Sequence, residues 1–232
     1  MAQHAAQQPW DRTGEEKAAY LRRMFGDIAS TYDLLNSAMT LRGHHRWRRD
    51  AVRMLAIKPG DTVADVCCGT GDFGSPLSRA GAKVVGIDFC QPMLALAAKK
   101  PFNQKLSLGD ATRLPIRSES VNAVTVGWGL RNVPNLQKAL SEIHRILKPG
   151  GRFVSVDMAL PKSAFMRALV KNTIPIFGKI FGKSEAYTYL PDSTEKFATR
   201  EELAQLFRNA GFKSVAFEDR FFGNICIHRG EK

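Results

Sequence analysis

A glycine-rich turn directly after a short apolar run constrains the fold of this chain most. The sequence VADVCCGTGDFG places Gly69, Gly71 and Gly74 at the end of the apolar run 62–67, in the spacing G-x-G-x-x-G. Such a turn joins a buried strand to a helix and lets the backbone approach a nucleotide-like ligand closely. The turn therefore predicts an α/β sheet with a ligand site at the carboxyl end of its first strand.

Apolar runs of strand length recur along the chain and alternate with helical patterns. Five of them are typical of buried strands, namely 62–67, 83–88, 105–108, 123–127 and 152–157. Two final runs, SVAFED and NICIHR, indicate an antiparallel hairpin at the edge of the sheet. The sequence thus predicts a doubly wound, mostly parallel sheet of seven strands.

Two of the predicted helices have recognisable ends. Leucine and isoleucine recur at helical spacing over 134–147, and a Lys-Pro-Gly-Gly stretch follows. Thr199 and Glu202 have the spacing of a capping box, which starts a helix that stops at Gly211.

The chain length of 232 residues suits one domain. Residues 1–17 are polar and predict a mobile tail, and 18–232 predict a single domain. Within that domain we expect N-terminal helices over 18–57. An insertion over 160–198 follows the fifth strand, and we expect it to cap the substrate site.

Cysteine, histidine and hydropathy patterns limit the possible functions. The four cysteines form no CxxC pair and the five histidines form no HExxH motif, which favours a reducing cytosol and no metal site. The apolar runs are shorter than the ~18 residues of a bilayer span, and the first residues lack an apolar signal core. Secretion and membrane spanning are therefore not expected.

The chain is strongly basic, with 34 Lys and Arg against 22 Asp and Glu and a formal charge of +12. Such a charge suits nucleic acid, an anionic lipid surface or solubility alone. Residues 161–183 contain five cations and no acid among phenylalanine, leucine and isoleucine. This mixture is typical of a segment on a membrane surface, and a helix packed on the core with its lysines in water is the alternative.

Carboxylates near the predicted strand ends indicate which cofactor is bound. Asp88 ends the second strand 19 residues after Gly69, where an acid accepts both ribose hydroxyls of an adenosine-containing cofactor. Asp65 lies inside the first strand, where a carboxylate repels pyrophosphate but suits an amino group and a sulfonium. This favours S-adenosylmethionine over NAD. Asp110 and Ala111 follow the third strand and can read the adenine edge.

Longer motifs carry a family resemblance. The segments VADVCCGTGD, VVGIDFCQPML, LGDATRLPI and LKPGGRFVSVD resemble the Rossmann-type S-adenosylmethionine-dependent methyltransferases over residues 58–157. FGDIASTYDLLNSAMTLRGHHRWRR, WGLRNVPNLQKALSEIHRILKPGG, YTYLPDST and HRG resemble the menaquinone and ubiquinone biosynthesis C-methyltransferases, and these motifs span most of 25–230. The resemblance implies methyl transfer from S-adenosylmethionine to a ring carbon of a prenylated demethylquinol, in the first place demethylmenaquinol.

The resemblance and the glycine turn together assign the cofactor contacts. They are Asp65, Gly69, Thr70, Gly71, Asp88, Asp110, Ala111 and Gly127. Many relatives have serine where this chain has Gly127, so a side-chain hydrogen bond there must be absent or replaced by the backbone.

The resemblance also implies residues that act on the substrate. Arg131 and Asn132 follow the fourth strand and are the expected catalytic residues, with the arginine stabilising a quinolate oxyanion. A structural ion pair is the alternative for Arg131. The expected substrate contacts are Tyr32, Tyr187 and Tyr189. Asp33 and His45 are weaker candidates at the mouth of the site.

Three other functions are compatible with parts of this sequence. A polyprenyl benzoquinol or another small phenol suits the same chemistry. RNA methylation is less favoured, because this chain has GWGLRNVP after the fourth strand instead of the Pro-Pro-aromatic motif of base-amine methylation. A non-catalytic membrane-surface protein is the third alternative. A nucleophilic role of Cys67 or Cys68 is rejected because strand-end cysteines are usually buried. The expected partners are a prenylated quinol and an anionic membrane surface at its cytoplasmic side, without nucleic acid, and a homodimer stays open.

Overall fold

The computed structural model of this chain describes residues 14–102, 104–169, 172 and 184–232, and for 184–188 the backbone only. Its strands are β1 Thr62–Val66, β2 Lys83–Asp88, β3 Gln104–Leu108, β4 Val121–Gly127, β5 Leu147–Met158, β6 Lys213–Arg220 and β7 Ile225–Glu231. They form one sheet in the order β3-β2-β1-β4-β5-β7-β6. Strands β1 to β5 are parallel, and β7 pairs antiparallel with β5 and β6. The predicted mostly parallel seven-stranded sheet and its C-terminal hairpin are confirmed.

The helices are α1 Gly14–Met39, α2 Gly43–Met54, α3 Gly74–Arg79, α4 Gln91–Ala97, α5 Leu136–Ile146, α6 Ser184–Glu195 and α7 Arg200–Asn209. The helix predicted over 134–147 begins two residues later because Asn135 caps it, accepting a hydrogen bond from the backbone nitrogen of Lys138 at 3.0 Å. The predicted capping box is present at the start of α7, where Thr199 and Glu202 bond each other's backbone N–H.

Hydrophobic side chains fill the space between the sheet and the helices on both of its faces. On one face Phe153 of β5 stacks on Phe207 of α7, with 4.8 Å between ring centroids. On the other face Trp47 of α2 and Leu77 of α3 pack against the strands. Helices on both faces leave the carboxyl ends of the strands as the edge at which a ligand binds.

The N-terminal helix α1 begins at Gly14, four residues before the predicted start of the domain at 18. Residues 14–17 of the predicted tail are therefore helical, and residues 1–13 lie outside the described residues. With 26 residues, α1 is about 39 Å long at 1.5 Å per residue. Its buried side includes Tyr20, Leu21, Met24, Ile28 and Leu35.

The insertion predicted over 160–198 follows β5 and contains helical residues 164–169 and α6. Residues 170, 171 and 173–183 lie outside the described residues, so most of the basic segment 161–183 stays a prediction. Among helices in the described ranges, none combines the length and the apolar character that crossing a membrane requires.

Candidate active site

A cavity lies at the carboxyl ends of β1, β2 and β4, and we call it the sheet-end cavity. Its walls include five residues predicted to bind the cofactor: Gly69, Asp88, Asp110, Ala111 and Gly127. Helix α1 adds Glu15, Ala18, Arg22 and Phe25. Three carboxylates and one guanidinium therefore line it, which suits a cationic ligand rather than a phosphate-bearing one.

Asp88 is held by the glycine turn that it faces. Its Oδ2 accepts a hydrogen bond from the backbone nitrogen of Gly69 at 2.8 Å, and its Oδ1 accepts one from Cys90 at 2.8 Å. Burial raises the pKa of Asp88, and these backbone hydrogen bonds oppose the rise. The carboxyl group lines the sheet-end cavity, so its remaining lone pairs can accept hydrogen bonds from ligand hydroxyls.

Asp65 lies within β1, and its side chain does not line the sheet-end cavity. Thr125 donates a hydrogen bond to its Oδ1 at 2.7 Å, whereas its Oδ2 has no hydrogen-bond partner among the described residues. Burial raises the pKa of Asp65 to about 7, so part of the population is protonated at neutral pH. Asp65 Oδ2 is thus a buried acceptor without a partner, four residues before Gly69. A cationic ligand would complement such a group.

We expect Asp65→Asn to remove a pH-dependent loss of stability. The carboxyl pKa is about 7 in the fold and near 3.8 in the unfolded chain. Its contribution to stability is therefore fully present below pH 3.8 and is lost as the pH rises through 7. The unfolding free energy of the variant relative to wild type should rise over this range by on the order of a few kcal/mol. Urea unfolding at several pH values measures the difference, and parallel curves for the two proteins would contradict the assignment.

Thr70 does not line the sheet-end cavity, and its predicted cofactor contact stays a prediction. Its hydroxyl donates a hydrogen bond to Asp33 Oδ1 of α1 at 2.5 Å. Lys100 Nζ lies 2.8 Å from Asp33 and 2.5 Å from Asp72. The Thr70 side chain therefore fastens α1 to the glycine turn.

Two glycines of the predicted site are favoured for different reasons, Gly71 by its positive φ and Gly127 by a neighbouring ring. Gly71 also does not line the sheet-end cavity; its φ is +79°, and a Cβ there would lie 2.7 Å from Gln104 Nε2. At Gly127 a Cβ would lie 2.7 Å from Cε2 of Phe73. The Phe73 ring thus takes the space that a serine side chain at this position would need.

A second cavity adjoins the first, and we call it the apolar cavity. Its lining is mainly hydrophobic and includes Met24, Ile28, Met39, Trp47, Met166, Leu169 and Leu190. Three aromatic residues line both cavities: Phe25, Tyr32 and Trp128. A molecule with an aromatic head and an apolar tail can therefore lie in the apolar cavity with its head at this shared wall.

Arg131 lines the apolar cavity and also forms a buried ion pair. Its Nη1 donates hydrogen bonds to Asp157 Oδ1 at 2.6 Å and to the carbonyl oxygen of Trp128 at 2.9 Å. The alternative of an ion pair is thus realised, with a partner that the sequence did not identify. Its Nε has no hydrogen-bond partner among the described residues, so the ion pair does not engage every N–H donor of the guanidinium.

Asn132 lines the sheet-end cavity and is held by two hydrogen bonds. Its Nδ2 donates to the Trp128 carbonyl at 3.1 Å, and its Oδ1 accepts from the Tyr189 hydroxyl at 3.1 Å. Burial raises the pKa of Tyr189 to about 12 and also raises that of Tyr32. Both phenols therefore stay protonated at neutral pH. The side chain of Tyr187 lies outside the described part of the chain.

His44, His45 and Asp72 bring possible ligand atoms within 4.8 Å of one another, a cluster that the sequence spacing did not reveal. His44 Nδ1 accepts a hydrogen bond from Arg48 Nη1 at 2.5 Å, and Arg48 Nη2 lies 3.3 Å from Asp72 Oδ2. Burial and the nearby Arg48 lower the pKa of His44 to about 3. The ring is therefore a neutral acceptor in an ion-pair network between α2 and the glycine turn.

Sequence reasoning missed the part of the cavity wall that α1 provides. Helical periodicity shows that a helix has an apolar side but not which surface that side covers. Cys67 also lines the sheet-end cavity. Burial raises its pKa well above the usual range, which keeps it a thiol and agrees with the rejection of a cysteine nucleophile.

Comparison with protein families gives one assignment over nearly the whole chain. The model of the ubiE/COQ5 methyltransferase family matches residues 13–232. A demethylmenaquinone methyltransferase of Geobacillus stearothermophilus is 38% identical over 94% of this chain and 99% of its own length. The demethylmenaquinone methyltransferase of Alkalihalophilus pseudofirmus is 37% identical over 95% of this chain and 98% of its own length.

Solved structures share the fold at lower identity. An S-adenosylmethionine-dependent methyltransferase of Thermotoga maritima, described as a possible histamine N-methyltransferase, has a TM-score of 0.68 and 23% identity, covering 90% of this chain and 99% of that one. A phosphoethanolamine N-methyltransferase of Haemonchus contortus, bound to S-adenosylhomocysteine, has a TM-score of 0.60 and 15% identity, covering 81% of this chain and 52% of that one. At these identities, the two structures support only the fold of this chain.

Proposed function

Because the chain belongs to the ubiE/COQ5 methyltransferase family, we propose that it methylates a ring carbon of demethylmenaquinol in the biosynthesis of menaquinone. The chain is an S-adenosylmethionine-dependent methyltransferase. Two of its curated relatives are demethylmenaquinone methyltransferases whose whole length it covers almost completely. The observation that carries the choice of substrate is the apolar cavity, which meets the sheet-end cavity at Phe25, Tyr32 and Trp128.

S-adenosylmethionine, when bound, supplies an electrophilic methyl group on a positively charged sulfur. In our proposal Asp88 accepts the ribose hydroxyls, and Asp110 and Ala111 contact the adenine. Gly69 and Gly127 let the backbone approach the cofactor. The support is that all five line the sheet-end cavity.

Three further residues predicted to bind the cofactor act from behind the cavity wall in this proposal. Asp65, Thr70 and Gly71 do not line the cavity: Thr70 and Gly71 belong to the glycine turn itself, and Asp65 precedes it in β1. Their role is to hold the shape of that turn. Asp65 also supplies a negative field that favours a cationic ligand when its carboxyl is ionised.

The substrate carbon becomes nucleophilic when a neighbouring ring hydroxyl loses its proton, because the charge of the phenolate spreads onto that carbon. We assign the stabilisation of this charge to the guanidinium of Arg131, because this residue lines the apolar cavity. Asn132 is proposed to orient the ring, and its amide is fixed by Tyr189. Tyr32 lies at the shared wall, where its protonated hydroxyl can donate to a quinol oxygen. Tyr187 is kept as a proposed substrate contact on the sequence resemblance.

The test is methyl transfer by the purified enzyme from labelled S-adenosylmethionine to a panel of acceptors with short prenyl chains. We expect the demethylnaphthoquinol to have the highest kcat/KM, ahead of the benzoquinol and of an unprenylated phenol. The oxidised naphthoquinone is the control and should accept no methyl group, because it has no hydroxyl to ionise. Faster transfer to the benzoquinol would replace the proposed substrate, and no transfer to any quinol would overturn the function.

We also propose that the enzyme works in the cytoplasm at the inner face of the cell membrane, where a long-chain quinol resides. The sequence of the basic segment 161–183 supports this proposal, because it combines five cations with large apolar side chains.

A further inference from the structure

Two tight turns hold large apolar side chains in solvent beside the apolar cavity. Leu41 follows α1 and has 88% of its surface exposed, and Phe222 lies between β6 and β7 with 77% exposed. Phe221 precedes it, lines the apolar cavity together with Leu41, and has its ring centroid 5.7 Å from that of Trp47. We call Leu41, Phe221 and Phe222 the apolar rim.

The backbone at the apolar rim is unfavourable for the residues it carries. Leu41, Phe221 and Phe222 have φ angles of +47°, +47° and +54°. Only glycine and, less readily, asparagine or aspartate adopt this left-handed region without cost. Exposure of large apolar side chains adds a hydration cost. The leucine and the two phenylalanines of the apolar rim therefore do not stabilise the isolated chain. Their presence points to a role in binding.

A third cavity lies on the other side of α2, and we call it the basic cavity. Five cations face two carboxylates in its walls: Arg42, Arg48, Arg49, Arg79 and Lys100 against Asp33 and Asp72. Arg48 and Lys100 pair with these acids. Arg42, Arg49 and Arg79 have no ion pair within the described ranges, which leaves the cavity with an excess of positive charge.

The basic cavity also contains a buried cation, Arg48, in addition to its surface arginines. The Arg48 side chain is 7% exposed, lines both the basic and the apolar cavities, and its Nε has no hydrogen-bond partner among the described residues. The turn before α2 joins the two surfaces, since Leu41 lines the apolar cavity and its neighbour Arg42 lines the basic one. An apolar rim next to a cavity with an excess of positive charge matches the interface of an anionic bilayer.

We propose that the apolar rim inserts into a bilayer containing anionic phospholipid while the basic cavity binds a lipid phosphate. This inference rests on the proposed function in one respect, because it explains how a quinol passes from the bilayer into the apolar cavity. The apolar rim contributes to membrane binding by burying apolar surface in the bilayer. Each arginine without an ion pair contributes electrostatic attraction to the anionic lipids, and salt weakens this attraction.

The first experiment is flotation with vesicles of phosphatidylcholine, with and without phosphatidylglycerol. Wild type should float with the anionic vesicles at low salt and much less at high salt. The double variant Leu41→Asn, Phe222→Asn should bind at least about tenfold more weakly, while its melting temperature stays equal or rises because asparagine suits the left-handed backbone. Leu108→Asn is the matched control: Leu108 is exposed on β3, at the opposite edge of the sheet, and should float like wild type.

The second experiment separates the lipid phosphate from free phosphate. Arg42→Gln with Arg49→Gln should abolish the preference for phosphatidylglycerol, and millimolar inorganic phosphate should compete only weakly. Equal flotation of wild type and the asparagine variant, or no flotation of wild type, overturns the proposal. Calorimetric binding of inorganic phosphate without vesicle binding overturns it too, because the cavity is then a site for a soluble anion.

Activity measurements keep this inference distinct from the proposed function. Phe222 does not line either ligand cavity, so Phe222→Asn should leave kcat on a soluble short-chain quinol unchanged and lower the rate on a long-chain quinol in vesicles several-fold. If wild type and Phe222→Asn have equal rates on the long-chain quinol in vesicles, the proposed membrane contact is wrong, but the proposed function is unaffected. A wild type inactive on every soluble quinol contradicts the proposed function, whatever the flotation result.

Discussion

Arg131→Ala should lower the free energy of unfolding by about 3–5 kcal/mol, the usual cost of leaving a buried charge without its partner. Asp157, which is almost fully buried, would keep only its hydrogen bonds from backbone N–H groups, such as that of Met158 at 2.8 Å. The variant also loses the Nη1 bond that ties the 3₁₀ turn Leu130–Asn132 to the Trp128 carbonyl. Urea unfolding at neutral pH measures the effect.

A paired substitution separates the structural role of Arg131 from its proposed catalytic role. Arg131→Gln with Asp157→Asn removes both charges and should recover most of the lost stability. Turnover of the quinol should stay low in this double variant because the cation that stabilises the quinolate is missing, while cofactor affinity changes only a few-fold. Normal turnover would contradict the catalytic assignment, and an Arg131→Ala variant as stable as wild type would contradict the structural one.

Asp88→Ala should weaken the binding of S-adenosylmethionine by about tenfold to a hundredfold. A hydrogen bond to a charged acceptor contributes roughly 1.5–3 kcal/mol, and tenfold in affinity corresponds to about 1.4 kcal/mol. The alanine also leaves the N–H groups of Gly69 and Cys90 without their acceptor, so the glycine turn loses its fixed position. Isothermal calorimetry measures the affinity.

The Asp88→Asn variant is the matched control. Its amide oxygen can accept one of the two backbone hydrogen bonds but carries no charge, so its affinity should lie between those of wild type and Asp88→Ala. Thermal unfolding of both variants shows whether the protein tested is folded. Wild-type affinity in a folded Asp88→Ala protein would remove the ribose assignment.

The strands could be predicted because each combines a buried apolar run with a clear turn. Lys83–Asp88 has the bounds that the sequence predicted, and the other strands differ at their ends. Strand β5 is longer than predicted because it begins at Leu147, which the sequence assigned to the preceding helix. The start of α1 at Gly14 was missed because polar residues alone do not distinguish a mobile tail from the exposed first turn of a helix.

The candidate site was predictable where a residue ends a strand or closely follows it, because the backbone alone places it at the sheet edge. Asp88 and Asp110 are of this kind. The orientation of Thr70 was not predictable, because it depends on Asp33, which is 37 residues away. Asp157 was missed as the partner of Arg131 for a similar reason, since the two are 26 residues apart and meet only in the folded sheet.

Helix α1 forms part of both ligand cavities. Its first half, with Ala18 and Arg22, lines the sheet-end cavity, and its second half, with Ile28 and Met39, lines the apolar cavity. A ligand that fixes one half of a continuous helix lowers the entropic cost of ordering the other half for a second ligand. Cofactor and quinol should therefore bind with positive cooperativity, and thermodynamic linkage requires that each raise the affinity of the other by the same factor.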